Sequence, residues 1–113
     1  MKRGEIWTVA GSGGYVSKPH PVVILQDDRF DMTDSVAVCA FTTDPTDAPL
    51  FRLVVEASAG NGLRTACRLM VDKITTVRRT RLGSHIGRLA DEDIVRLKRA
   101  VLVFLGIAGP AAN

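Results

Sequence analysis

Along the first half of the chain, polar and apolar positions alternate at the period of a half-buried strand, and the residues between these runs forbid helix. Gly4-Glu5-Ile6-Trp7-Thr8-Val9 reads as a strand with one wet face. Residues 10–17 are glycine-rich and too long for a tight turn; they predict a loop whose only large side chain is Tyr15. Lys18-Pro19-His20-Pro21 then confines the chain to an extended entry, since each proline fixes its own φ and drives the preceding residue out of the helical region. Val22-Val23-Ile24-Leu25, ending at Gln26, predicts a buried strand with a cation and an imidazole at its mouth. A charged connection, residues 27–34, leads to Ser35-Val36-Ala37-Val38-Cys39-Ala40-Phe41, apolar on both faces and therefore central.

The second half repeats the pattern and then changes period. Residues 42–49 are hydroxyl-rich and turn-forming, residues 51–56 alternate, and Asn61-Gly62 is the strongest local hairpin signal. Residues 65–71 and 74–77 predict two more strands around Asp72-Lys73, and residues 84–89 a short further one. Ile94, Leu97, Val101, Leu102 and Leu105 then recur at helical spacing, with Arg96, Lys98 and Arg99 between them. Asp91-Glu92-Asp93 complement the positive end of a helix dipole, and Gly106 stands where a helix stops. The expectation is one helix over about 91–105, docked by its apolar face, and a frayed tail over 107–113. About six short strands followed by one helix define a mainly β class: a small, strongly curved sheet or barrel with a C-terminal helix.

Composition narrows this little further. The 113 residues form a single domain, 1–113, with one modest core. The longest apolar run, residues 100–105, is far short of a membrane span, and a strand pattern instead of an apolar core follows Met1-Lys2-Arg3; the expected compartment is the cytoplasm, with no membrane contact. Cys39 and Cys67 fit reduced, buried thiols. The absence of a CxxC pair and the wide separation of His20 and His85 argue against a structural zinc site, and no cofactor fingerprint is present. Charge changes the picture more. Residues 1–50 hold four basic against seven acidic side chains, whereas residues 51–113 hold eleven against five. Between Arg64 and Arg88 seven basic residues accompany one acid, Asp72, the footprint of a polyanion partner.

Three groups can carry chemistry: His20 with Lys18, the pair Thr42 and Thr43 at the end of the central strand, and Arg64, Arg68, Asp72 and Lys73 on the basic strip. Cations hold a phosphodiester, a hydroxyl hydrogen-bonds it, and an imidazole moves a proton. The bland alternatives are a turn role for the threonines and a surface ion pair of Asp72 with Lys73 or Arg68. Trp7 reads as core or dimer contact and His85 as surface.

Arg3-Gly4-Glu5-Ile6-Trp7, Pro19-x-Pro21-Val22-Val23-Ile24, Thr42-Thr43, Val71-Asp72-Lys73-Ile74, Ile86-Gly87-Arg88-Leu89 and the closing helix together resemble the MazF/PemK/Kid toxins, from Arg3 to about Leu105. The resemblance implies an SH3-like barrel, a homodimer and the toxin half of a type II toxin–antitoxin pair. It also implies metal-independent cleavage of single-stranded RNA through the ribose 2′-hydroxyl, and a MazE-type antitoxin whose acidic tail covers the RNA groove. Carried over position by position, it makes His20 and Thr42 catalytic and puts Lys18, Thr43, Arg68, Asp72 and Lys73 on the RNA. His20 stands where the family places an arginine, and Met70 where some members place another. Two other readings of the same fold are a non-enzymatic gyrase poison resembling CcdB and a plain module binding single-stranded nucleic acid. The latter lacks an aromatic strand face.

Overall fold

The computed structural model describes residues 1–10 and 18–109; the predicted glycine loop at 11–17 and the last four residues of the predicted tail lie outside the described residues. Among the described residues seven strands and one α-helix follow one another: β1 (Glu5–Val9), β2 (His20–Ile24), β3 (Ser35–Thr42), β4 (Arg52–Val55), β5 (Cys67–Met70), β6 (Thr75–Arg78), β7 (Leu82–Arg88) and α1 (Asp91–Phe104). All pairings are antiparallel, in the order β4-β5-β3-β2-β1-β7. The far edge of β3 is shared: its first half pairs with β6 and its last two residues with β5.

The central position expected of β3 follows from its composition. Cys39 and Phe41 point into the main core with Ile6, Val23, Leu53 and Leu69, while Val36 and Val38 point the other way, into a second cluster with Val9, Val22 and Ile24. A strand apolar on both faces needs cover on both, and the curled sheet supplies it. The main core is closed by α1 through Leu97 and Ala100. Here the helical pattern misleads, because Leu102 and Leu105 remain exposed and the small Ala100 takes the buried place. Near the point where the helix ends, Gly106 at φ +73° lets its N–H donate to Val103 O and that of Ile107 to Leu102 O. The first two residues of the predicted tail, Ile107 and Ala108, both return their N–H groups to Leu102 O.

Strand ends and the turn at residues 61–62 also differ from the pattern. β2 begins at His20 and stops at Ile24; Leu25 N still donates to Ala37 O, but Gln26 turns its amide to accept from Ala37 N. β7 is longer than its apolar content indicates, because it pairs with β1 along its length. Asn61-Gly62 does not close a two-residue hairpin: β4 and β5 pair with Val55 opposite Cys67, leaving a wide loop between them. That loop is built on the buried Asn61 side chain. Its Oδ1 accepts from Ser58 N and Leu63 N, and its Nδ2 donates to Glu56 O. The loop lies flat on β7, where Arg88 N donates to Gly60 O and ties the two sheet edges together.

The contact with β7 leaves no room at Gly87, where a Cβ would come within 2.4 Å of Asn61 C and 2.5 Å of Asn61 O. Gly87→Ala is expected to destabilise the fold by about 2–3 kcal/mol, read from the urea midpoint at unchanged m. Gly60→Ala, whose Cβ meets only Ser58 Oγ at 3.9 Å, should stay within about 0.5 kcal/mol of the parent.

Candidate active site and nucleic-acid interface

Val22 lies opposite Ala40, Val23 opposite Cys39 and Ile24 opposite Val38. Continued by one alternation, this register sets His20 across from Thr42, and on the other side of β3 Thr42 pairs with Arg68. His20, Thr42 and Arg68 thus stand in a row on one face of three adjacent strands, at cross-strand Cβ spacings of about 5 Å. His20, Thr42 and Thr43 line one hollow of about 270 Å³ together with Pro19, Pro21, Phe41 and Cys67.

The hydroxyl of Thr42 accepts from Asp44 N at 3.1 Å, the strand-end turn that its residue type allows. This bond occupies a lone pair and leaves the O–H to donate outward. Asp44 is in turn fixed by Thr46, whose hydroxyl and N–H both donate to Asp44 Oδ1; these bonds hold the Asp44 carboxyl below its usual range. Arg68 Nη1 reaches Asp44 O at 3.5 Å. A turn that looks merely structural therefore orients the hydroxyl and borders the arginine.

The other candidates divide. Lys18 is exposed and lines a second, larger hollow that shares Pro19, Pro21 and Cys67 with the first. Asp72 and Lys73 line neither hollow. Asp72 pairs with neither Lys73 nor Arg68; it accepts two hydrogen bonds from Arg52, at 2.8 and 3.0 Å, with the side chains only 11% (Arg52) and 23% (Asp72) exposed. A pattern reading could not reach this partner twenty residues upstream, since it follows from Arg52 facing Met70 across the hairpin. Both cysteines are free and buried, and burial pushes the Cys39 thiol up to about 12 and that of Cys67 upward as well. Cys67 is thus a protonated wall of the hollow and not a nucleophile. Trp7 is half-buried and stacks on the exposed His85 ring, 5.1 Å between centroids, outside both hollows. Arg64 lines the larger hollow; its presence in the basic strip was the only signal for it.

A curled seven-stranded antiparallel sheet closed by one C-terminal helix is the architecture of the small toxin barrels that the sequence resembles. The sequence model described as PemK-like, MazF-like toxin of type II toxin–antitoxin system matches residues 2–105, and the chain belongs to this family. A probable endoribonuclease MazF of Mycolicibacterium smegmatis is 57% identical over 109 residues, covering 96% of this chain and all of the relative. Among solved structures, a mycobacterial endoribonuclease in complex with its cognate antitoxin superposes at a TM-score of 0.76, with 22% identity over 97% of this chain and 99% of that one. A MazE–MazF complex from Deinococcus radiodurans gives the same TM-score at 14% identity, over 96% and 97% of the two chains. Among the described residues no helix is long and apolar enough to cross a membrane.

Hydrogen bonds from Arg52 hold the Asp72 carboxyl below the usual carboxylate range. The folded carboxyl is then harder to protonate than the unfolded one, which titrates at about 3.9. The stability that the pair supplies is complete above that value and is lost as the pH falls through the lower folded value. Asp72→Asn should lower the melting temperature at pH 7, and the gap to the parent should close in scans taken progressively below pH 4.

Proposed function

We propose that the chain is the toxin half of a type II toxin–antitoxin pair and acts as an endoribonuclease on single-stranded RNA, with the row His20, Thr42 and Arg68 as its catalytic centre. The observation that carries this reading is the strand register that sets His20, an oriented Thr42 hydroxyl and Arg68 side by side on three adjacent strands, the first two of them over one hollow. The 2′-hydroxyl attacks the adjacent phosphorus, the bond to the 5′-oxygen breaks, and a 2′,3′-cyclic phosphate and a 5′-hydroxyl result. The 2′-hydroxyl gives up its proton and the leaving 5′-oxygen gains one; His20 is the group in the row able to carry either. Charge builds on the non-bridging oxygens, where the Thr42 O–H donates and Arg68 supplies the fixed positive charge. Arg68, reached from β5, takes over the clamp that the family draws from the position of His20. No step needs a metal ion.

Lys18 and Thr43 extend the RNA contact beyond the scissile phosphate, and Lys73 adds to the basic field of the second half of the chain. Asp72 supports the site indirectly, by holding Arg52 at the base of β4. The partner reading is a MazE-type antitoxin whose acidic segment neutralises this face; the working form is a homodimer, and the compartment is the cytoplasm. The relatives' names support the antitoxin and the activity. A CcdB-like gyrase poison has no use for a hydroxyl held between an imidazole and a guanidinium.

Long mixed-sequence RNA incubated with the protein in excess EDTA should be cut at discrete sites, leaving 5′-hydroxyl ends. Thr42→Ala should cut at least about 100-fold more slowly with an unchanged circular dichroism spectrum. Expression without antitoxin should arrest growth only for the parent. Intact RNA, or full activity of the alanine variant, would overturn the reading. Arg68→Ala should lose more activity than His20→Arg, which restores the family's charge and is expected to keep or raise the rate.

A further inference from the structure

The larger hollow next to the catalytic row encloses about 640 Å³ and is mostly apolar. Pro19, Pro21 and Cys67 form the wall it shares with the hollow of His20 and Thr42, Leu63 and Ile86 supply further apolar surface, and Arg64 stands at its rim. A nucleotide whose phosphate lies at Thr42 must put its base within one sugar of that point. The smaller hollow holds the imidazole and the two hydroxyls that the phosphate would engage; a roomier apolar slot lies directly across the shared wall. The slot is also preformed on its loop side, because Asn61 fixes the chain on both sides of itself and Gly62 sits on Ile86 O with no space for a Cβ.

Its charged groups are one-sided, and Thr65 adds a hydroxyl able to donate or accept. Lys18 and Arg64 only donate hydrogen bonds, and among the described residues neither is in an ion pair. Thr8 Oγ1 already accepts from Ser84 N at 2.9 Å, so what it has left to offer is its O–H. A ring edge that presents carbonyl acceptors satisfies this set, whereas one that presents an exocyclic amino group opposes donor to donor. On the Hoogsteen edge guanine offers O6 and N7 to an arginine fork and uracil offers O4, whereas adenine and cytosine each carry an amino donor there. We propose that this hollow seats one base beside the cut and that Arg64 makes it selective for a base with a carbonyl on that edge, guanine or uracil, over adenine or cytosine. The assignment of a base to the slot rests on the nuclease reading of the neighbouring row.

The test separates the two. A randomised pool of 2′-O-methyl RNA ten-mers, which cannot be cut through the 2′-oxygen, is bound to the parent and to Arg64→Gln, and the retained fraction is sequenced. The exposed Arg64 makes none of the fold's hydrogen bonds among the described residues, so the variant is expected to fold. The parent should enrich guanine or uracil at one position by about tenfold. Arg64→Gln should lose that preference there alone, moving it toward adenine, whose edge a glutamine matches. Equal weakening of all sequences, the mark of a phosphate contact, would overturn the proposal, as would a parent pool with no such preference or a preference that survives the substitution. RNA cutting by the parent and Thr42→Ala decides the nuclease reading independently. A base preference lost in Arg64→Gln in a protein that cuts nothing would keep the slot and refute only the chemistry.

Discussion

The register of β2 on β3 is the constraint on which the rest of the molecule depends. Successive strand side chains point to opposite faces, so a slip of β2 by one residue would turn Val23 out of the main core and bring Val22 and Ile24 into it. Here both faces are buried, by two separate clusters, and both sets would be displaced at once. That double penalty fixes the alignment more tightly than a single wet-faced pair would. The same alignment carries outward to the strand ends, where burial stops and His20 meets Thr42. The proposed catalytic row lies one step beyond the last apolar pair, so its geometry is a consequence of packing it takes no part in.

β5 completes the row because β3 is longer than any single neighbour on its far edge. β6 covers its first half and leaves the end free for Phe41 and Thr42 to pair with Leu69 and Arg68. The hairpin carrying Arg68 is held at both ends: the Arg52–Asp72 pair sits at its base, and the Asn61-centred loop is pinned to β7 at its tip. Exposed ion pairs elsewhere, such as Arg88 with Asp91, lie in water and add little. The half-buried Arg52–Asp72 pair differs because its two hydrogen bonds fix both planar groups.

How much of this was legible depends on the range of the interaction. The strands came through because alternation and proline placement are local signals; β3 declared its centrality by being apolar on both faces, and Gly106 marked the helix stop. His20 and Thr42 were identifiable as a pair only through the family resemblance, although the prolines and the strand end gave each a physical reason to be positioned. What was hidden was pairing. Nothing near Asp72 in the chain points to Arg52, and nothing near Asn61-Gly62 says that the asparagine side chain will be buried as a scaffold in place of turning a hairpin. Ala100 replaced Leu102 and Leu105 at the core because hydrophobicity reports what prefers burial, whereas the approach of α1 to the sheet decides which positions receive it.

The hydroxyl of Thr42 shows why structural and functional readings of a residue need not compete. Its bond from Asp44 N is the ordinary way a strand-end threonine completes its backbone, and taken alone it would assign Thr42 to a turn. A free hydroxyl rotates, however, and spreads its proton over several directions; one that already accepts a backbone N–H has fewer orientations left. The local bond therefore removes freedom that a phosphate contact would otherwise have to remove on binding. Thr46 fixes Asp44, Asp44 fixes Thr42, and the register fixes both against His20 and Arg68. The chain has placed its most ordinary turn at the point where an oriented hydroxyl is of most use.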